Sequence, residues 1–250
     1  MIRFLGLMLS LAVMLLAAPA GAAEIKVLSA GAVRAVVEAM IDDYSRQTGQ
    51  KFDITVGTTG QLRTAIESGK PADLVIVSAP LMQELEKTGK LTPGSRVDLG
   101  SLGIGVVIRD DAPAPDVSTP EAFKKALIDA RSVTYTGPAE GGTSGIHVQN
   151  LLNRFGITDV VEKKALHANG GRDAVEKVAR GEAEIGITFT SEFVPVAGTR
   201  VVGPLPKEIE YVNGYAGAIP KDAAVAPAKA FLSFLASPSS KECFKSFGLD

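Results

Sequence analysis

Apolar residues along the chain alternate between continuous runs and positions spaced three or four residues apart. Continuous runs of this length predict buried strands, and the wider spacing predicts helices with one buried face. In the first half these elements are strands at 25–30, 51–57 and 72–79 and helices at 33–47, 61–69 and 80–89. Gly49, Gly69 and Gly89 stand where each helix should end. The order predicts a parallel sheet covered by helices.

The second half resumes this alternation after an interruption. A long strand pattern at 102–110 leads into the proline-rich segment 111–120 instead of a helix. The elements predicted beyond it are helices at 120–130, 144–155, 171–181, 225–236 and 238–247 and strands at 132–137, 161–167, 183–189, 200–206 and 209–220. We therefore predict an α/β protein of two lobes, joined by two extended crossings that act as a hinge.

The two lobes are predicted to consist of residues 24–105 with 210–250, and of residues 106–209. The C-terminal helices would return to the first lobe. Two lobes joined in this way leave a cleft between them, and clefts between domains are favoured ligand sites.

Residues 1–23 have the features of a secretory signal peptide. Arg3 supplies the positive start, 5–16 the apolar stretch, and 18–23 small residues suited to cleavage. The apolar stretch is shorter than the ~20 residues that a membrane span needs. We expect cleavage near Ala23 and a periplasmic, soluble mature protein.

The charge balance and the scarcity of metal-ligating side chains exclude several classes of function. The net charge is −2 and basic residues are scattered, which argues against nucleic acid or an anionic membrane as partner. Cys243, His147 and His167 are too few for a thiolate or imidazole metal cluster. We expect no cofactor, no protein-ligated metal and a monomer.

Small polar residues follow several predicted strands, where the carboxyl ends of a parallel sheet bind ligands. They occur at 29–31, 57–60, 136–149 and 188–192, and each group precedes or enters a helix. Any one group taken alone is more typical of a helix N-cap than of a ligand contact. Their repetition predicts an anion site built from hydroxyls and unpaired helix amides. The predicted ligand-binding residues of this kind are Ser29, Thr58, Thr59, Gly142, Thr143, Ser144 and Thr190.

Three basic side chains are further ligand-binding candidates. Arg34 and Arg63 lie in first helical turns after the loops of the first lobe, where either could pair with a carboxylate in bidentate fashion. His147, just inside a helix, could donate to an anion or act as an acid or base. Alternatively, Arg34 and Arg63 are ordinary exposed side chains of their helices, and His147 caps its helix or packs against its surroundings.

Two segments, 56–79 and 179–192, resemble motifs of periplasmic molybdate-binding proteins. The resemblance covers most of the mature chain. It implies a type II periplasmic binding protein fold and an oxyanion held by Ser29, Thr58, Thr59 and the loop 142–144. Phe189 stands where these proteins usually carry tyrosine, and a histidine follows the "GGTSG" loop. The departures favour a small di- or tricarboxylate as the alternative ligand.

Two functions follow from this resemblance. In the first, the protein captures a small anion and delivers it to an inner-membrane ABC permease. The alternative is a periplasmic isomerase of an unsaturated tricarboxylate, similar to aconitate isomerase, with His147 or Glu140 as the base and Glu192 as a weaker choice. We predict the binding protein, because no nucleophile and base lie at close spacing in the sequence.

Overall fold

The computed structural model describes residues 24–194, 196–223 and 225–250. The predicted signal peptide, residues 1–23, lies outside the described residues. Within the described ranges, no helix is both long and apolar enough to span a bilayer.

The strands and helices alternate in the first part of the chain as the hydrophobic pattern predicts. The strands are β1 Ile25–Ala30, β2 Phe52–Gly57, β3 Leu74–Ser78, β4 Val97–Arg109, β5 Val133–Thr136, β6 Ala165–Ala168, β7 Ile185–Phe189, β8 Thr199–Pro204 and β9 Val212–Ala218. The helices are α1 Arg34–Thr48, α2 Thr59–Glu67, α3 Ala79–Lys87, α4 Pro120–Asp129, α5 Thr143–Phe155, α6 Thr158–Glu162, α7 Gly171–Ala179, α8 Val225–Leu235 and α9 Pro238–Ser246.

The strand pairing divides into two halves that share β4. In the first half, β2, β1 and β3 are parallel, and β9 runs antiparallel between β3 and β4. In the second half, β7, β5 and β6 are parallel, while β4 pairs antiparallel with β7 and β8. The protein is therefore a mixed α/β structure of two lobes, as the sequence predicts.

The two crossings between the lobes lie side by side. Strand β4 pairs with β9 as far as Gly103 and with β7 from Ile104 onward. The amide of Leu205 donates to the carbonyl of Ile104 at 3.0 Å, and the amide of Ile104 donates to the carbonyl of Tyr211 at 3.3 Å. These bonds join the crossings into a two-segment hinge.

Two elements differ from the sequence prediction. Strand β4 begins at Val97, five residues before the predicted start, because it belongs to both lobes. The strand predicted at 161–167 is in part the short helix α6, followed by β6. Val161, the first residue of the predicted strand, is buried as part of helix α6, while its neighbour Val160 is exposed.

The C-terminal helices complete the core of the first lobe. Helices α8 and α9 pack against α1. The ring of Phe231 in α8 lies 5.1 Å from that of Tyr44 in α1 and 4.6 Å from that of Phe52 in β2. This packing fixes β1 and β2, whose carboxyl ends face the other lobe.

Candidate ligand-binding cleft

A cavity of about 230 Å³ lies where the strand ends of the two lobes meet. It is lined by Ala30, Gly31, Ala32, Arg34, Val56, Gly57, Thr58, Thr59, Gln61, Thr136, Gly142, Thr143, Ser144, Asn169, Gly170, Gly171, Arg172, Asp173, Phe189, Glu192 and Tyr215. The last residues of β1, β2, β5 and β7 are all among them. Pockets for drug-sized ligands measure ~300–1,000 Å³, so this one suits a small molecule.

Four helical segments begin at the cavity without a side-chain cap. Helices α5 and α7 follow Gly142 and Gly170, and two short 3-10 turns follow Ala30 and Phe189. First-turn amides have no partner within their helix and carry partial positive charge. Helix α2 differs, because Thr58 and Gln61 form a reciprocal capping box at its start.

Two buried hydroxyls face this cavity without a protein partner. Thr136 is 1% exposed and Ser144 3% exposed, and both line the cavity. Among the described residues, neither hydroxyl has a hydrogen-bond partner. Both residues line the cavity, so a ligand bound there can supply the partner that these hydroxyls lack within the protein. Ser144 is a predicted site residue, whereas the prediction omitted Thr136, the last residue of β5.

Glu192 supplies a buried carboxyl group to the same cavity. Thr188 Oγ1 donates to Glu192 Oε2 at 2.5 Å, and the backbone amides of Phe189 and Arg172 also donate to the carboxyl. Burial raises the pKa of Glu192 to about 7, against the opposing effect of these hydrogen bonds. A methyl group placed on Gly171 would lie 1.8 Å from Glu192 Oε2, so only glycine fits there.

Tyr215 brings a phenol to the cavity from strand β9 of the first lobe. Its ring meets that of Phe189 edge-on, at 6.0 Å and 84°. Burial raises the pKa of its hydroxyl, and so does the charge of Glu192, while Asn213 and Thr143 act in the opposite direction. The structure therefore contains a buried tyrosine in the cleft, although Phe189 occupies the position where the motif suggests one. We call Thr136, Ser144, Phe189, Glu192 and Tyr215 the inner wall.

The lobes also touch directly, through a set of residues that we call the lobe contact: Thr58, Gly60, Gln61, Glu140 and Gly141. The Gly60 amide donates to the Gly141 carbonyl at 3.1 Å, and Gln61 Nε2 donates to Glu140 Oε2 at 2.9 Å. The Thr58 hydroxyl donates to the Glu140 carbonyl. A methyl group on Gly60 would lie 2.9 Å from Gly141 Cα, so the two backbones meet at van der Waals distance. These contacts describe a closed arrangement of the lobes.

Six of the ten predicted ligand-binding residues line the cavity. They are Arg34, Thr58, Thr59, Gly142, Thr143 and Ser144. Asn169, Arg172, Tyr215 and Glu192, the last of which the sequence suggested as a weaker choice of base, line it too.

Four predicted residues lie outside the cavity lining, each for a local reason. Ser29 is fully buried within β1 and its hydroxyl contacts the carbonyl of Ala30 at 3.4 Å. Arg63 points outward from α2 and pairs with Glu84 at 2.8 Å. Thr190 begins a short 3-10 turn after β7 and packs near Gly105.

The fourth is His147, which belongs to the hinge. Its Nε2 lies 2.9 Å from the carbonyl of Ile209, and its ring stacks on Tyr211 at 4.9 Å. Burial lowers the pKa of His147. Glu140, the other base that the sequence suggested, belongs to the lobe contact instead of the cavity lining. Of the three suggested bases, Glu192 alone lines the cavity.

A second, larger depression lies at the other end of the first lobe. Its volume is about 730 Å³, and it includes the starting residues of β1 and the region before β3. Ligands of open α/β sheets bind beyond the carboxyl ends of the strands, so the smaller interlobe cavity is the candidate site.

The fold and cleft place the protein in the class of two-lobed α/β binding proteins. The profile of one family, described as bacterial extracellular solute-binding protein, matches residues 25–250. The chain belongs to this family, whose members are extracytoplasmic proteins of bacteria.

Relatives of this chain include an aconitate isomerase and molybdate-binding proteins. An aconitate isomerase of a Pseudomonas species is 31% identical over 89% of this chain and 86% of its own. The molybdate-binding protein of Escherichia coli (strain K12) is 27% identical over 90% of this chain and 88% of its own. The solved periplasmic molybdate-binding protein of Azotobacter vinelandii has a TM-score of 0.76 at 21% identity, covering 91% of this chain and 99% of its own. This last likeness establishes the shared fold.

Proposed function

We propose that this protein captures a small anion in the interlobe cavity, in the periplasm, and presents it to an ABC permease of the inner membrane. The lobes would be residues 24–105 with 210–250, and residues 106–209, and the sequence at 1–23 would direct export. The ligand would be a molybdate-like oxyanion or a small carboxylate.

The unpartnered hydroxyls of Thr136 and Ser144 carry this proposal. Both residues are more than nine-tenths buried and line the cavity, so their hydroxyls are placed to bond a ligand held there. The uncapped helix starts after Gly142 and Gly170 add amides that favour a negative ligand. Arg34 adds a positive charge to the lining.

A second candidate is isomerisation of an unsaturated tricarboxylate, and Glu192 favours it. Moving a double bond requires a group that removes a proton from one carbon and returns it to another. A buried carboxyl with a pKa of about 7 can do both near neutral pH. The similarity to an aconitate isomerase supports this candidate, while the similarity to molybdate-binding proteins supports the first.

A thermal-shift panel tests the proposed function on the purified protein. It would contain molybdate, tungstate, sulfate, phosphate, citrate, cis-aconitate and trans-aconitate. An anion that binds only the folded state raises the melting temperature as its concentration exceeds Kd. Ser144→Ala with Thr136→Val should weaken binding by about tenfold or more, because each loses a buried hydrogen bond.

Ser233→Ala is the matched control, since Ser233 lies on the exposed face of α8 and bonds only its own helix. No shift with any anion, or equal affinity in the double variant, would contradict the proposal. Interconversion of the two aconitates by the protein would instead select the isomerase.

A further inference from the structure

Glu192 places a buried carboxyl group in the same cleft as the inner-wall hydroxyls and the uncapped helix starts. Its two oxygens differ in their surroundings. Oε2 accepts from Thr188 and lies over Gly171, while Oε1 lies 3.8 Å from the position of a methyl group on Gly31, at the boundary with the first lobe. Because Gly31 lines the cavity, Oε1 is the oxygen that lies toward a ligand there.

The charged and titratable side chains around Glu192 come from three elements. They are Arg34 at the start of α1, Arg172 and Asp173 in the first turn of α7, and Tyr215 in β9. The Tyr215 hydroxyl stays neutral because its pKa is raised.

Both arginines are already paired with carboxylates of their own helices. Arg34 bonds Glu38 at 2.7 Å and Arg172 bonds Glu176 at 2.9 Å. Asp173 accepts from the amide of Asn169 at 3.0 Å and lies 3.6 Å from Lys177. Among the described residues, no cation pairs with the Glu192 carboxyl. A bound anion would thus meet an uncompensated negative charge whenever Glu192 is ionised.

We propose that Glu192 is a ligand-binding residue that holds the anion as a neutral carboxylic acid, donating a hydrogen bond from Oε1, so that capture of a fully ionised anion is coupled to uptake of one proton. This inference rests on the proposed function. Like charges confined in one buried site raise each other's pKa, so a bound anion favours the protonated acid. The carboxyl titrates near neutral pH even without a ligand, which makes that proton available where the protein works.

The chemistry of the ligand follows from this arrangement. An anion without a proton of its own, such as molybdate or fully ionised aconitate, needs the acid form of Glu192. Its affinity should therefore fall as the pH rises. A hydrogen phosphate ion can instead donate its proton to ionised Glu192, so its affinity should depend less on pH.

Calorimetric titration with molybdate and with trans-aconitate, between about pH 6.5 and 9, tests the coupling. Above about pH 7 the Kd of whichever ion binds should rise by about tenfold per pH unit. Titrations in two buffers of different ionisation enthalpy should show uptake of about one proton per ion.

Glu192→Gln keeps the shape of the side chain and a donor but cannot ionise, so its Kd should be independent of pH. Glu67→Gln, at an exposed site on α2, should keep the same rise of Kd with pH as the unmodified protein. Thr188→Val removes a hydrogen bond that lowers the pKa of Glu192. The pH above which Kd begins to rise should therefore be higher in this variant. This shift gives a second readout should Glu192→Gln fold poorly.

The possible results separate the two proposals. Binding with a pH-independent Kd in the unmodified protein, or a slope that persists in Glu192→Gln, overturns the role of Glu192 and leaves anion capture standing. Failure of every anion of the thermal-shift panel to bind, at every pH, overturns both.

Discussion

The lobe contact and the inner wall are both rich in polar groups, but they use these groups differently. In the lobe contact, Thr58 and Gln61 of one lobe are satisfied by Glu140 of the other. In the inner wall, Thr136 and Ser144 have no partner among the described residues. The groups of the lobe contact bond one another when the lobes are closed, whereas the two hydroxyls of the inner wall remain available to a ligand in the cavity.

This difference separates closure from recognition. The lobe contact sets the fraction of molecules that are in the closed form. That fraction scales the apparent affinity for every ligand equally. The inner wall decides which ligand is held, because a buried group that lacks its partner costs free energy. Changes in the two regions should therefore produce different signatures.

Gly171→Ala should have the largest effect, because Gly171 packs directly against Glu192 of the inner wall. The added methyl group would lie 1.8 Å from Glu192 Oε2 and 2.2 Å from Thr188 Oγ1, so the buried carboxyl must move. We expect a loss of about 1–3 kcal/mol in the free energy of unfolding and a large loss of anion affinity, measured by denaturant unfolding and calorimetry. Gly203→Ala is the control, since Gly203 lies outside the cavity lining and no described residue lies within 4 Å of its methyl position; equal effects at both positions would contradict the packing described here.

The buried Glu192 should also make the stability of the ligand-free protein depend on pH. Its pKa is raised from 4.5 to about 7, so its contribution to stability is fully present below about pH 4.5. That contribution is lost as the pH rises to about 7, and it amounts to about 3 kcal/mol at most. Urea unfolding at about pH 5 and pH 8 should show this fall in the unmodified protein and in Glu67→Gln, but not in Glu192→Gln. An equal fall in all three proteins would assign the dependence to other groups.

Gly60→Ala should act on the lobe contact with a smaller and uniform effect. The methyl group would lie 2.9 Å from Gly141 Cα, so closure must become looser. We expect about tenfold weaker binding of every anion that binds, with the order of preference unchanged, because only the closed population falls. Small-angle scattering should show a larger average radius for the ligand-free protein. Gly203→Ala, with no described residue within 4 Å of its methyl position, should change neither the anion affinity nor the average radius. An altered order of preference in Gly60→Ala would contradict the separation of closure from recognition.

The fold was largely predictable because its information is local. Strands β1 and β3 are continuous apolar runs, and helices α1 and α3 end near glycines, so the sequence indicates them without knowledge of the rest. The start of β4 was missed because pairing across two lobes, which the sequence does not display, extends that strand. Helix α6 was misread in part as a strand because a short segment with few apolar residues suits a strand and a short helix equally well.

The candidate site was predictable in position but less so in residue roles. The rule that ligands bind at strand ends located Thr58, Thr59 and Ser144. It could not tell that the Thr58 hydroxyl would be used by Glu140, nor that Arg63 would turn away to Glu84. Those outcomes depend on where the opposite lobe or the neighbouring helix lies. Glu192 was undervalued because a glutamate looks unfavourable in an anion site until its burial is known.

His147→Ala should have the smallest effect on ligand binding, although the sequence made His147 a leading candidate for the site. Its ring contacts the hinge at Ile209 and Tyr211, away from the cavity lining. Losing that hydrogen bond should lower the free energy of unfolding by about 1 kcal/mol, measured by urea unfolding. The Kd of a bound anion, measured by calorimetry, should change by less than about threefold, and any aconitate interconversion should persist. His167→Ala, which removes an exposed partner of Glu162, is the matched control for losing an imidazole. A large loss of affinity or activity confined to His147→Ala would mean that the hinge and the inner wall do not act separately, because a change at the crossing would then control what the cleft can hold.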